Sequence, residues 1–220
     1  HEISRTLIFY LFGLGDNSEG QCCSTNSTCG FPYKIEINNP NKIIDCYAGY
    51  NYNLVILPDA GSYDVEEHQR LYALGIDCLV LDHHDQVLDN NGNPIVATSP
   101  NTIVINNQLS PDYKNKSLCG VGVVYKFCEV LDDVLRIKQA QEYLDLVALG
   151  EIADVMDRRH SETKHLMMTG LQNIKNGGFK MLLKSVENTP SLGDRAKPPY
   201  DGLTAVDIAF YISPLINAIL

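Results

Sequence analysis

Five side chains in this sequence carry atoms that could hold a cation or move a proton: Asp59, Asp82, His83, His84 and Asp154. Three of them are consecutive in "CLVLDHHDQ", residues 78 to 86, where a largely apolar run meets an acid, two imidazoles and a second acid. Adjacent histidines are poor packing residues, and their imidazoles suit metal binding or proton transfer near neutral pH. Asp59 follows a second apolar run in "LVILPDAG", and Asp154 lies in "GEIADVM". Carboxylates and imidazole without a partnering cysteine are hard to borderline ligands, better matched to Mn²⁺ or Mg²⁺ than to a structural zinc. Singly, each acid has an ordinary reading, Asp59 as a turn residue and Asp154 as a solvated helix charge. Their joint placement is what points to a site.

That placement depends on the elements around them. "LVIL" is a short apolar run suited to a strand buried on both faces, and Pro58-Asp59-Ala60-Gly61 interrupts it. Asp64 with Glu67 has the spacing of a capping box that opens a helix, and Gly75 closes that helix. The run "CLVL" follows at once, so residues 54 to 82 have the order and length of a βαβ unit. A right-handed crossover makes the two strands parallel. Asp59 and Asp82-His83-His84 then stand just past the carboxyl ends of neighbouring strands, where open α/β sheets place their ligand crevice.

Downstream, "TIVIN" reads as a strand within a stretch of loop rich in Asn, Pro and Ser. "SLCGVGVVYKFCEVLDDVL" and "IKQAQEYLDLVALGEIADVM" read as successive helices, the second with Tyr143, Leu144, Val147, Ala148 and Ile152 on one face and Asp154 at its border. A further helix runs through "DRRHSETKHLMMTGLQNIKNGGFKMLLKSV", with Gly177-Gly178 as its end, and "NTPSLGDRAKPPYDGLT" links it to a last apolar segment. The fold class that results is α/β, a parallel sheet flanked by helices and followed by a helical segment.

Composition narrows the field. With 45% hydrophobic residues over 220 positions the chain can bury a full core, and no apolar run approaches the ~20 residues that span a bilayer. With no basic secretory leader at its start, the chain is expected to be cytoplasmic, and the sequons at Asn26 and Asn115 to be coincidental. Seven cysteines argue against a disulfide framework: Cys46, Cys78, Cys119 and Cys128 read as small core residues, and Cys22, Cys23 and Cys29 as surface thiols without a fourth metal ligand. His1, His68, His160 and His165 read as surface residues, and Met167-Met168 as core. A net charge of −10 weighs against a broad phosphate-gripping surface, yet bound divalent cations supply local positive charge to an acidic protein.

The motifs together resemble the DHH phosphoesterases, and within them the RecJ-like single-strand-specific exonucleases. "LVILPDAGSYD", "LVLDHHD" and "LVALGEIADVMD" resemble the second, third and fourth motifs of that family, in order. "SLCGVGVVYKF" is similar to the glycine-rich segment of RecJ-type members, and "FYISPLINAI" to a later segment, in a form closer to the phage and prophage branch. The resemblance runs from about residue 50 to the last residue. It implies a two-metal phosphodiester hydrolase using Mn²⁺ or Mg²⁺, with single-stranded DNA as substrate, a role in repair or recombination, and no membrane. Carried over by position, Asp59 would bridge the metals and His83 with Asp154 would complete the coordination of one. Asp82 would orient the site, and His84 would lie against the scissile phosphate or leaving group.

One departure stands out. The family's first motif, Asp-x-Asp-x-Asp-Gly, has no counterpart in residues 1 to 50, and Asp16 lacks its spacing. The expected organisation is therefore an N-terminal segment over 1–50, a DHH core over 51–190, and a linker over 191–220 leading to a C-terminal domain beyond the chain, which is read as an internal fragment. On its own such a piece is expected to be weakly active or inactive. Two other readings follow from the same residues. One is a phosphodiesterase acting on oligoribonucleotides or cyclic dinucleotides, or a pyrophosphatase. The other is a non-catalytic DHH scaffold that binds replication or repair proteins.

Overall fold

The structure is a computed structural model that describes residues 54–85, 87–95 and 99–219. Cys22, Cys23, Cys29, Cys46, Asp16, Asn26, His1 and the segment without a first motif lie outside the described residues. The backbone groups into two compact units, His1–Leu109 and Ser110–Leu220.

In the first unit, β1 (Leu54–Pro58), α1 (Val65–Ala73) and β2 (Asp77–Asp82) form the βαβ unit that the sequence implies. A third strand, β5 (Thr102–Asn106), pairs with β2, so the sheet order is β1-β2-β5 with both pairings parallel. Val80 and Leu81 are adjacent, hence on opposite faces, and both are fully buried, as a central strand of an α/β sheet requires. β1 is closed less completely, since Leu54 at its amino end is about half exposed. Leu71 of α1 packs with Val55, Ile76, Cys78 and Val80 to form the core on one side. A small antiparallel hairpin of β3 (Val87–Leu88) and β4 (Pro94–Ile95) occupies part of the segment read as loop.

Two local expectations are corrected here. Asp64 does precede α1, but its carboxylate makes no capping bond, and Glu67 instead receives two hydrogen bonds from Arg70 at 2.9 and 3.1 Å. His68 is not a surface residue but is fully buried. It sits three positions before Leu71, on the inward face of α1.

The second unit is helical: α2 (Gly120–Leu135), α3 (Leu144–Ala153), α4 (Ser161–Gln172) and α5 (Gly177–Val186) are its main elements. The chain then passes through α6 (Ala205–Asp207) and a π-helical turn at Ile208–Ile212 into α7 (Ser213–Ile219). None of the helices among the described residues is long and apolar enough to cross a membrane. α3 departs from the one-faced stripe, because every residue from Asp145 to Ile152 is buried, including Asp145 and Glu151. Asp145 is satisfied by the backbone N–H groups of Lys175 (2.8 Å) and Asn176 (2.6 Å), which fastens the turn after α4 to α3.

The same turn explains why Gly177-Gly178 opens a helix instead of ending one. Asn176 accepts a hydrogen bond from the Phe179 N–H at 3.0 Å and so caps α5, and the glycines fall in its first turn. The half-buried His160 caps α4 in a similar way. Cys78, Cys119 and Cys128 are buried as expected, whereas of the methionine pair only Met167 is core and Met168 is about half exposed. Asn115 is buried, with its amide on Glu162 and Thr163.

A capping box does occur, at Thr204 and Asp207, where the nearly buried Asp207 also accepts hydrogen bonds from Arg195 at 2.7 and 3.1 Å. Burial alone would raise the pKa of Asp207, but the Arg195 and Thr204 contacts hold it below the ordinary value of 3.8. A depressed carboxylate stabilises the fold above its unfolded pKa and loses that contribution as pH falls through the folded value. Thermal unfolding of the chain and of Asp207→Asn is therefore expected to differ most near neutrality. The gap should begin to narrow at about pH 4, where the carboxyl protonates in the unfolded chain, and close once the folded carboxyl protonates too, at lower pH.

Candidate metal centre

The sheet register determines which groups meet. Pro58 pairs with Leu81, and Asp82 with Asn106, so Asp59, Asp82 and Asn106 stand at one level of the carboxyl edge. Asp59 takes a left-handed conformation (φ 62°) that turns the chain off β1, while its N–H still donates to the Leu81 carbonyl at 2.8 Å. Aspartate tolerates that backbone region better than most residues. The turn aims its carboxylate back across the sheet edge, where Oδ1 lies 3.1 Å from Nε2 of His83. Both side chains are largely buried.

One ligand atom each from Asp59, His83 and His84 lies within 4.8 Å of the others. Two donor atoms bound to one cation at ~2.1 Å each stand ~3 Å apart, which the Asp59–His83 separation matches. The donor set therefore fits a divalent cation of the Mn²⁺ or Mg²⁺ kind, with His84 adding a third donor that widens the choice to borderline metals. The carboxyl of Asp59 is held below the ordinary range: burial opposes ionisation, and the contact with His83 leads the groups that favour it.

Asp82 plays a different part in the geometry. It is almost fully buried, and its carboxylate is spent on the protein itself. Oδ2 accepts from the Ser62 N–H at 3.1 Å, and Oδ1 accepts from the backbone N–H of His83 (2.7 Å) and of His84 (3.3 Å). Oδ1 also lies 2.6 Å from Nδ1 of His84. Burial raises its pKa, but the His84 and Ser62 contacts outweigh this and keep it ionised. A carboxylate only accepts hydrogen bonds, so Nδ1 of His84 carries the proton, and in the neutral ring Nε2 presents its lone pair outward. The His84 side chain is 52% exposed, so that nitrogen faces solvent while its ring is aimed from behind.

Ser62, Tyr63 and Asn106, which the sequence reading did not single out, complete the frame together with His68, which it placed on the surface. Asn106 donates from Nδ2 to Ser62 Oγ (2.9 Å) and to the His84 carbonyl (3.1 Å). Tyr63 donates from its hydroxyl to the same His84 carbonyl at 3.2 Å and to that of Asp85. His68 reaches the carbonyl of Gly61. For Asn106 the available signal was its place at the end of a third parallel strand; for Ser62 and Tyr63 none existed, since both lie in a loop. Asp154 belongs to the second unit, where it follows α3 as an exposed residue. Asp59, His83, His84 and Asp82 are thus the sequence-derived candidates that the first unit brings together.

Comparison with known proteins agrees with this architecture. Over 186 residues the chain is 41% identical to YorK, an SPbeta prophage-derived protein of Bacillus subtilis (strain 168) named as a single-strand DNA-specific exonuclease, covering 84% of this chain and 29% of that one. It is 30% identical over 169 residues to the single-stranded-DNA-specific exonuclease RecJ of Thermus thermophilus, covering 76% of this chain and 22% of RecJ. A crystal structure of exonuclease RecJ bound to manganese superposes with a TM-score of 0.58 at 30% identity, over 76% of this chain and 38% of that one. The chain thus spans less than a third of the length of these curated relatives. The family described as "DHH family, N-terminal domain" matches residues 8–151, a stretch that contains Asp59, Asp82, His83 and His84. A parallel sheet whose central strand ends in Asp-His-His, matched along most of the sequence, shows that the chain belongs to the DHH family.

Proposed function

We propose that this chain carries the catalytic core of a metal-dependent phosphodiester hydrolase, a RecJ-like exonuclease acting on single-stranded DNA. The observation that supports it most directly is the Asp59–His83–His84 cluster on the carboxyl edge of the sheet, backed by the buried Asp82. In this reading Asp59, His83 and Asp154 are metal ligands, and His84 faces the scissile phosphate. Asp82 orients the His84 ring and supports the His83 backbone. Bound divalent cations activate water and neutralise charge on the departing oxygen, which reconciles a chain of net charge −10 with a polyanionic substrate. The protein's own contribution is rigidity: Asp59 is fixed by the strand register, and His84 by three hydrogen bonds to its ring or carbonyl. Residues 51–190 form the core in this proposal and 191–220 a connecting segment. Action in the cytoplasm, in repair or recombination, belongs to the same reading.

The test is release of nucleotides from labelled single-stranded DNA, duplex DNA and short RNA, with Mn²⁺ or with EDTA, by this chain and by the whole reading frame that contains it. Mn²⁺-dependent loss of single-stranded DNA supports the proposal. Preference for short RNA would move it to an oligoribonucleotide phosphodiesterase, and binding of DNA-processing proteins without hydrolysis of any substrate would leave a scaffold.

Asp82→Asn offers a narrower check. The amide keeps one acceptor oxygen and turns the other into a donor, so it can no longer accept both from Ser62 and from the groups around Oδ1, and the His84 ring loses its orientation. Mn²⁺ affinity measured by calorimetry is expected to fall by about 10- to 100-fold, the usual cost of losing a group that orients a ligand.

A further inference from the structure

His68 is a buried titratable group, beside the candidate site, that the site chemistry leaves unused. It is fully buried on α1, with Nε2 2.8 Å from the Gly61 carbonyl and Nδ1 3.2 Å from Thr102 Oγ1. A carbonyl only accepts, so Nε2 carries a proton and donates it to Gly61, while Nδ1 lies beside the Thr102 hydroxyl. Thr102 is the first residue of β5 and is held in turn by Ser99 Oγ at 2.7 Å. The imidazole therefore ties the loop after β1 to the helix that follows it and to a strand beyond β2.

What that loop carries gives the contact its meaning. Asp59 lies two residues before Gly61, and Ser62, one residue after, donates its N–H to Asp82 at 3.1 Å. Gly61 itself has φ 104°, a conformation that L side chains rarely adopt, and an added Cβ would stand 3.0 Å from Leu57 Cδ1. The loop thus depends on backbone contacts that no side chain at 61 can supply. We infer that His68 is a positioning residue, whose Nε2–H on the Gly61 carbonyl sets the loop that presents Asp59 to the metal and Ser62 to Asp82. The inference rests on the reading of Asp59 as a metal ligand. It extends that reading to a residue outside the crevice, and His68 itself touches neither metal nor substrate.

Two polar substitutions separate the roles of the ring nitrogens. A glutamine amide nitrogen reaches the place of Nε2, and an asparagine amide falls near Nδ1, short of Gly61. The experiment compares His68→Gln and His68→Asn in the 220-residue chain, first by amide hydrogen exchange without metal, then by Mn²⁺ titration. In His68→Asn, the Ser62 and Asp59 amides are expected to exchange ~10-fold faster while the central-strand Val80 amide stays protected, a local opening and not a global one. Its Mn²⁺ dissociation constant is expected to rise by about 10-fold, within the range for residues that orient a ligand, and His68→Gln to stay within about 3-fold of the parent. Unchanged Ser62 protection in His68→Asn would overturn the inference, as would equal loss of protection at Ser62 and Val80. If the parent chain binds no Mn²⁺, the metal reading fails, and the exchange comparison still decides whether His68 sets the loop.

Discussion

Asp59→Asn is expected to lower Mn²⁺-dependent hydrolysis of single-stranded DNA by about a thousandfold or more, equivalent to ~4 kcal/mol of transition-state stabilisation. The substitution keeps the shape of the side chain and its left-handed turn, which asparagine also tolerates. What it removes is the negative charge 3.1 Å from Nε2 of His83. Without it the Asp59–His83–His84 cluster loses its one carboxylate, and an exchangeable metal is held far more weakly. Calorimetric titration of Mn²⁺ should show the loss directly, and nucleotide release by the whole reading frame should follow it. Metal-free Asp59→Asn should still unfold cooperatively, losing only the modest contribution that the Asp59–His83 contact makes near neutrality. Parent-like Mn²⁺ affinity in Asp59→Asn would show that the cation sits elsewhere and would remove the site from the proposal.

Gly170→Ala is expected to destabilise the helical unit by about 3 kcal/mol, although alanine is the better helix former by ~1 kcal/mol. Gly170 lies on α4 where that helix crosses α3. An added Cβ would stand 2.1 Å from the Leu144 carbonyl oxygen, 2.6 Å from the Ala148 Cβ and 2.8 Å from the Leu144 carbonyl carbon. Two of these three are backbone atoms, which no rotamer change can move, so the helices must separate and the buried face of α3 loosens. A fall of roughly 10 °C in melting temperature would match that cost. Gly177→Ala is the control: a Cβ there meets nothing within 4 Å, and the substitution should be neutral or mildly stabilising. Equal stability of Gly170→Ala and the parent would mean that α3 and α4 do not cross so closely.

The two outcomes probe different levels of the molecule. The Asp59 position was legible because its chemistry is local: an apolar run, a proline and an acid that must fall at a strand end. Gly170 was not, because nothing near it in "HLMMTGLQ" distinguishes a glycine needed for a helix crossing from one that merely weakens a helix. The capping pattern shows the same limit. Asp64-x-x-Glu67 and Thr204-x-x-Asp207 have the same spacing, yet only the second closes, since Glu67 is drawn to Arg70 while Asp207 is buried beside Arg195. Spacing offers the bond, and the neighbours decide whether it forms.

From the sequence alone came the α/β class, the βαβ unit over residues 54 to 82, and the cluster of Asp59, Asp82, His83 and His84. These follow from rules that act over a few residues or along one strand: hydrophobic runs, turn residues and the parallel crossover. The tertiary structure decided the division of labour among them. It placed Asp82 almost wholly inside, as the acceptor that aims His84, and left Asp59 facing His83. It also turned His68 inward, made Asn106 the bridge between strand ends, and buried α3 on every side. Local rules do not reach the frame as a whole, because it is closed by residues 20 or more positions apart, such as Ser62 with Asp82 or Ser62 with Asn106, that meet only when the strands pair in register.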